Sequence, residues 1–217
     1  MKLVIGNKNY SSWSLRPWLV LTHAQIPFEE EKVSFNDPNF KAHTGPAGKV
    51  PVLHDGELTI WDSLSIVEYL AETFPEKHLW PRDRAARAVA RSICAEFHAG
   101  FPAVRNDLSC NMSVSLPGRG WNVRVQKEIN RICALWRDAR ARFARSGGPF
   151  LFGDFSIADA YYAPVTRRFV TYAVDLPDDA ARYVETIGAL PAMKAWLAEA
   201  ASENDFFVED EPYRLSP

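Results

Sequence analysis

The stretch VPVLHDGELTIWDSLSIVEYL, residues 50–70, leaves the chain few choices. Two apolar runs flank Asp55-Gly56, a pair that closes a tight hairpin because such turns need positive φ. Asp62 and Ser63 then open a segment with apolar residues at Leu64, Val67, Leu70 and Phe74. That is the spacing of one helix face, and Pro75 stops it. Upstream, KLVIGN (2–7) reads as a short apolar strand. Residues 12–25 have helical apolar spacing at Leu15, Trp18, Leu19 and Thr22, and the later part of 26–35 reads as a strand. The order β-α-β, loop, β-β-α predicts a small mixed sheet with helices on its faces.

Beyond about residue 80 the strand signals stop. Residues 82–108 and 122–148 read as long amphipathic helices rich in alanine and arginine, the second closed by Gly147-Gly148. Residues 156–174, 178–188 and 191–202 predict three more helices. The chain therefore divides into an α/β domain over residues 1–80 and an all-helical domain over 84–217. The linker falls at about residues 76–84.

With 217 residues, 47% of them hydrophobic and 24% charged, each part can bury a core of its own. A net charge of −2 draws the whole molecule to neither nucleic acid nor an anionic membrane. Locally, residues 119–145 carry Arg119, Arg124, Lys127, Arg131, Arg137, Arg140, Arg142 and Arg145 against Glu128 and Asp138. The end, SENDFFVEDEP (202–212), is acidic. Both read as solvated faces, and the basic run lacks a nucleic-acid motif. No apolar run approaches the ~20 residues that span a bilayer, and no h-region with a cleavage site opens the chain. No membrane or nucleic-acid partner and a cytoplasmic location are expected. Cys94, Cys110 and Cys133 lie far apart and read as buried or half-buried thiols. The five histidines are scattered, so no metal site is expected.

NYSSWSLRPWL (9–19) poses a separate question, since Ser11, Ser12 and Ser14 crowd one turn beside Tyr10, Trp13 and Trp18. One serine would cap the helix that follows. Three point also to a ligand. Pro17 has no N–H, which costs nothing only within the first four helical positions. On that ground the helix starts no earlier than Trp13 or Ser14, leaving Ser11 and Ser12 in the loop ahead of its positive end.

The V-P pair, the D-G hairpin, the Asp62-Ser63 helix start, the serine turn and FSIADAYYAP (155–164) together resemble the glutathione transferase superfamily over nearly the whole chain. In the last motif Ser156 precedes Asp159 by three, as in a capping box. The similarity is to the serine-type branch, nearest to zeta and theta-like bacterial glutathione transferases. It implies a thioredoxin-like N-terminal domain followed by an all-α C-terminal domain, with glutathione as co-substrate and a homodimer in the cytoplasm. By position, Ser11 matches the thiol-activating serine, with Ser12 its rival. A thiolate there is stabilised by the helix dipole and a hydroxyl hydrogen bond. Trp13, Lys49, Val50, Pro51, Asp62 and Ser63 match glutathione-binding positions. The resemblance implies a cis Val50–Pro51 bond, with the Val50 N–H and C=O pairing strand-like with the peptide. Asp62 and Ser63 cap the helix, dock a carboxylate, or do both. Lys49 either meets the glycyl carboxylate or is solvated. The electrophile pocket is expected near Tyr10, Phe101, Arg105 and Cys110.

The implied activity is transfer of the glutathione thiolate to a small hydrophobic electrophile, a detoxifying reaction. A zeta-like isomerase of the maleylacetoacetate type and a non-catalytic glutathione-binding module are the alternatives. Trp13 stands where the zeta pattern has cysteine, so that isomerase chemistry is not secured. A zeta-type substrate arginine would fall at Thr171. Arg167 and Arg168 lie about one turn earlier; either could reach an acidic substrate, although a solvent-facing role is the commoner one for such residues. Residues 10–16 contain no cysteine, which speaks against thiol–disulfide exchange through the protein.

Overall fold

β1 (Lys2–Ile5) lies inside a four-stranded sheet of order β2-β1-β3-β4, with β2 at Glu29–Lys32, β3 at Val52–Asp55 and β4 at Leu58–Trp61. The chain is described here from a computed structural model covering residues 1–144 and 147–214. β1 runs parallel to β2 and antiparallel to β3, with Leu3 opposite both Glu30 and Leu53. The β3–β4 hairpin closes at Gly56, whose φ is +59°. Strand alternation splits the apolar side chains of the central strands between two faces. Leu3, Ile5 and Leu53 enter the main core, whereas Val4 and Val52 pack with Val33 on the other side. β2, with the sequence EEEK, is a polar edge.

α1 (Ser12–His23) crosses from the sheet to the helical half, and α3 (Ser63–Thr73) packs beside it. α1 begins earlier than Pro17 led us to expect. Ser11 is its N-cap and Ser12 its first residue, so Pro17 sits at the sixth position, inside the helix. The proline deprives the Trp13 carbonyl of its usual donor. An unbroken buried stretch from Ser14 to Leu21 outweighs that local loss.

The helical half comprises α4 (Arg84–Ala99), α5 (Pro102–Asp107), α6 (Val123–Phe143), α7 (Ile157–Thr171), α8 (Asp178–Ala189) and α9 (Pro191–Ala201); a short α2 (Phe40–Thr44) precedes β3. The single helix expected over 82–108 divides. Phe101 takes the left-handed conformation after Gly100, and Pro102 opens α5. α6 ends at Phe143, and Arg145 and Ser146 of the expected 122–148 helix lie outside the described residues. So do residues 215–217 of the expected helical domain. Arg131, Arg137 and Arg142 pair with Glu96, Asp179 and Asp138 on exposed faces, as expected of the basic run. Among the described residues no helix is long and apolar enough to cross a membrane.

The acidic end departs from the solvated face expected of it. After α9 the chain turns back as a strap across the loop joining β1 to α1. The Glu203 carboxylate accepts from the backbone N–H groups of Lys8 (2.9 Å) and Asn9 (3.0 Å), and Asp205 accepts from the Asn7 side chain. Loop N–H groups without strand or helix partners need acceptors, and the strap supplies them. Lys8, fully buried, is held between Glu30 (2.8 Å) and Glu199 (2.6 Å), over the rings of Trp18 and Trp196. The same loop carries the serine turn, so the strap fixes the turn from behind.

Candidate functional site

None of the serine side chains caps α1. The Ser11 side chain makes no cap bond. Its hydroxyl donates to Ser14 Oγ at 2.7 Å, and Ser14 Oγ accepts the Gly6 N–H at 3.2 Å. Ser12 Oγ lies 3.5 Å from Arg168 Nη2. Ser11 and Ser12 both line a cavity of about 380 Å3 at the positive end of α1.

A cleft of about 580 Å3 adjoins it, sharing Trp13, Lys49, Val50 and Arg105 as walls. Pro51, Asp62 and Ser63 line the cleft as well, so the six expected glutathione-binding residues come together. The Val50–Pro51 bond is cis. β3 pairs only from Val52 onward, which leaves the Val50 backbone open to a ligand strand. Asp62, at φ 73°, is the N-cap of α3, and its Oδ1 accepts from Leu64 N at 2.8 Å. Its Oδ2 faces His98 Nε2 at 3.4 Å. The His98 Nδ1 meets the Tyr161 hydroxyl at 2.7 Å, and that hydroxyl meets Ser63 Oγ at 3.3 Å. Capping and lining the cleft therefore coexist at Asp62. His98 and Tyr161 were missed in the sequence because they come from α4 and α7, with no local spacing to tie them to Ser63. Burial holds the Tyr161 hydroxyl protonated, with its pKa pushed up to about 12.

The serine cavity is cationic. Arg16, Arg105 and Arg168 all line it. Arg168 is therefore not the solvent-facing residue expected; it is buried, and its Nε donates to the Leu108 carbonyl at 2.8 Å. Arg167 is tied to the Met112 carbonyl, and the Thr171 hydroxyl to the Asn111 carbonyl. The expected pocket residues are only partly assembled. The Tyr10 ring lines the cavity while its hydroxyl donates to Glu211 at 2.7 Å, and Cys110 lines it with a thiol that burial pushes up to about 11. Phe101 is displaced by the break after α4. It lines a separate cavity of about 500 Å3 and reaches the serine cavity only through its stack on Phe97, 5.4 Å between centroids. Phe207 and Asp210 of the strap complete the wall. Burial raises the Asp210 carboxyl to about 6. Among the described residues no group of three or more His, Cys, Asp or Glu is placed to hold a metal ion.

A groove with an open peptide edge, a helix N-terminus at one end and hydroxyls at another helix N-terminus suits an extended anionic peptide carrying a thiol. Comparison with known proteins agrees. The family model for the glutathione S-transferase N-terminal domain matches residues 10–73, and that for the C-terminal domain matches residues 86–199. A probable maleylacetoacetate isomerase of Vibrio cholerae is 33% identical over 227 aligned residues, spanning 94% of this chain and 97% of that protein. Glutathione S-transferase L3 of Arabidopsis thaliana is 29% identical over 161 residues; the match covers 74% of this chain but only 60% of that relative. A glutathione transferase homologue from Burkholderia, solved with bound glutathione, superposes with a TM-score of 0.71 at 23% identity. It covers 93% of this chain and 98% of its own, which shows a shared fold.

Proposed function

The chain belongs to the glutathione S-transferase family, and from that premise we propose that it binds glutathione along the Trp13–Ser63 groove and transfers its thiolate to a small electrophile. The observation that carries this reading is the continuity of the open Val50 edge with the serine cavity. The cysteinyl backbone pairs with Val50, the γ-glutamyl end docks at Asp62 and Ser63, and the sulfur then falls towards Ser11 and Ser12. The hydroxyl and the α1 dipole favour the thiolate, and the neighbouring cavity holds the electrophile within reach of it. No step needs a metal.

Calorimetry on Ser63→Ala and Asp62→Ala variants tests the docking. Each should weaken glutathione binding by about ten- to a hundredfold, the worth of one hydrogen bond to a charged group. Unchanged affinity in both removes the site.

A second reading, isomerisation of a maleylacetoacetate-type substrate, is favoured by the similarity to the Vibrio cholerae protein. It is opposed by Trp13 at the cysteine position and by Thr171, committed to Asn111. Product analysis separates the two, since a conjugate retains glutathione and an isomer does not.

The family reading extends to a cytoplasmic detoxifying enzyme acting as a homodimer. β4 is a free sheet edge carrying Leu58 and Trp61, 49% and 54% exposed, which a second copy would cover. Light scattering at micromolar concentration should give twice the chain mass; the single-chain mass would reject the dimer.

A further inference from the structure

Two successive backbone N–H groups inside the serine turn converge on one side chain from the strap. The turn is closed by the Asn7 carbonyl, which accepts from Tyr10 N at 3.1 Å and from Ser11 N at 2.8 Å. Lys8 and Asn9, both buried, lie within that closure and take no part in it. Glu203 Oε1 accepts from Lys8 N at 2.9 Å, and Oε2 accepts from Asn9 N at 3.0 Å. Among the described residues neither N–H has a backbone acceptor. Successive N–H groups of this kind form a nest that fits a carboxylate, and buried without an acceptor they are costly. The shape of the turn therefore depends on Glu203.

The arm that holds the turn is itself anchored. Glu203 N donates to the Ala200 carbonyl at 3.2 Å, which fixes the residue to the end of α9. From the same helix Trp196 Nε1 donates to the Lys8 carbonyl at 2.9 Å, so α9 and its end grip Lys8 by both its N–H and its C=O. Lys32 Nζ supplies a counter-charge 3.0 Å from Glu203 Oε1, and the carboxylate side chain is only 3% exposed. What the turn carries next is Ser11. Its N–H makes the last bond of the closure, and its carbonyl accepts Leu15 N at 3.1 Å, at the start of α1. Its hydroxyl lines the serine cavity. A hydrogen bond weakens steeply once its angle is spoiled, so a small rotation of this turn costs activation before it costs binding.

We propose that Glu203 is a positioning residue for thiolate activation: by gripping Lys8 and Asn9 it sets the pose in which the Ser11 hydroxyl reaches the sulfur of bound glutathione. This deepens the transferase reading and rests on it. The sign of the effect separates positioning from charge. A nearby carboxylate disfavours a thiolate, so on electrostatic grounds alone removing the Glu203 charge lowers the thiol pKa. Loss of positioning raises it.

The test titrates the thiolate absorbance of the complex with glutathione in Glu203→Gln, in Ser11→Ala and in the double variant. Glu203→Gln should raise the thiol pKa by roughly half a unit to one unit, part of what Ser11→Ala itself costs. The glutathione Kd from calorimetry should change by less than about threefold, because Val50, Asp62 and Ser63 dock the peptide elsewhere. In the Ser11→Ala background Glu203→Gln should add nothing, since the hydroxyl it positions is gone. Glu203→Asp keeps the charge and shortens the reach; it should raise the pKa as well, and it carries the test if Glu203→Gln does not fold. A thiol pKa lowered in Glu203→Gln, or unmoved in both variants while the melting midpoint falls, overturns the proposal. So does a shift that persists in the double variant. Absence of glutathione binding by the unaltered protein would remove the transferase reading and this proposal together, whereas glutathione bound with a pKa indifferent to Glu203 removes this proposal alone.

Discussion

Ser11→Ala will raise the thiol pKa of bound glutathione by roughly one to two units. Ser11 donates to Ser14, and Ser14 accepts from the Gly6 N–H. On the proposed function, Ser11 turns its proton to the glutathione sulfur and accepts one from Ser14 instead. Gly6, Ser14 and Ser11 then form a line of donors in which each bond polarises the next. On that reading the turn has a use for more serines than a cap needs. Ser14→Ala should move the pKa in the same direction by a smaller amount, because it removes the middle of the line and leaves the end. At pH 7 conjugation by Ser11→Ala should be slower by about tenfold or more, and the rates should converge once the pH exceeds the thiol pKa of the variant. Thiolate absorbance of the binary complex reads the shift directly. A normal pKa in Ser11→Ala beside a raised one in Ser12→Ala transfers the role to Ser12. No shift in either leaves α1 and its backbone N–H groups as the activators.

Much of the groove was legible because its parts are short-range devices. The Asp55-Gly56 turn, the Val50-Pro51 entry and the Asp62 cap each act within a few residues, and the structure brings the last two to one cleft. The start of α1 was not legible. A rule about Pro17 weighs one hydrogen bond, whereas the outcome depends on a buried face from Ser14 to Leu21 packed against α7. Arg168 escaped for a related reason. An arginine in a helix reads as solvated only if the helix has a wet face, and α7 is buried almost all round. The acidic end was misread because the demand it meets lies nearly two hundred residues away, in the N–H groups of Lys8 and Asn9. Charge composition describes what a segment carries and not which donors await it.

That strap ties recognition to the fold, since the segment that secures Asn7, Lys8 and Asn9 also places Phe207 and Asp210 in the cavity wall. Residues that hold the serine turn and residues that wall the serine cavity therefore belong to one stretch of chain.

Asp159→Ala will cost the fold about 3–5 kcal/mol. The carboxylate is fully buried and accepts from Leu151 N (3.0 Å), Ser156 N (2.9 Å), Ser156 Oγ (3.1 Å) and the Tyr183 hydroxyl (3.0 Å). Removing it orphans two backbone donors and a phenol at once, where α7 begins and α8 packs on it. Each orphan is worth about 1–3 kcal/mol, and neighbours sharing one acceptor do not add fully. For a chain of this size the midpoint of thermal unfolding should fall by about 6–20 °C. The loss should also depend on pH. Burial outweighs the four hydrogen bonds and raises the Asp159 carboxyl from 3.8 to about 6. Between those values the folded state holds the proton more firmly than the unfolded chain, so this group's contribution is full below 3.8 and falls as pH rises to about 6. Other carboxylates titrate alike in both proteins and cancel in the difference. The stability gap between wild type and Asp159→Ala, from denaturant melts at pH 4, 5, 6 and 7, should therefore be widest at pH 4 and level off above pH 6. A gap that instead grows with pH would mean that the four donors hold the carboxylate ionised against its burial.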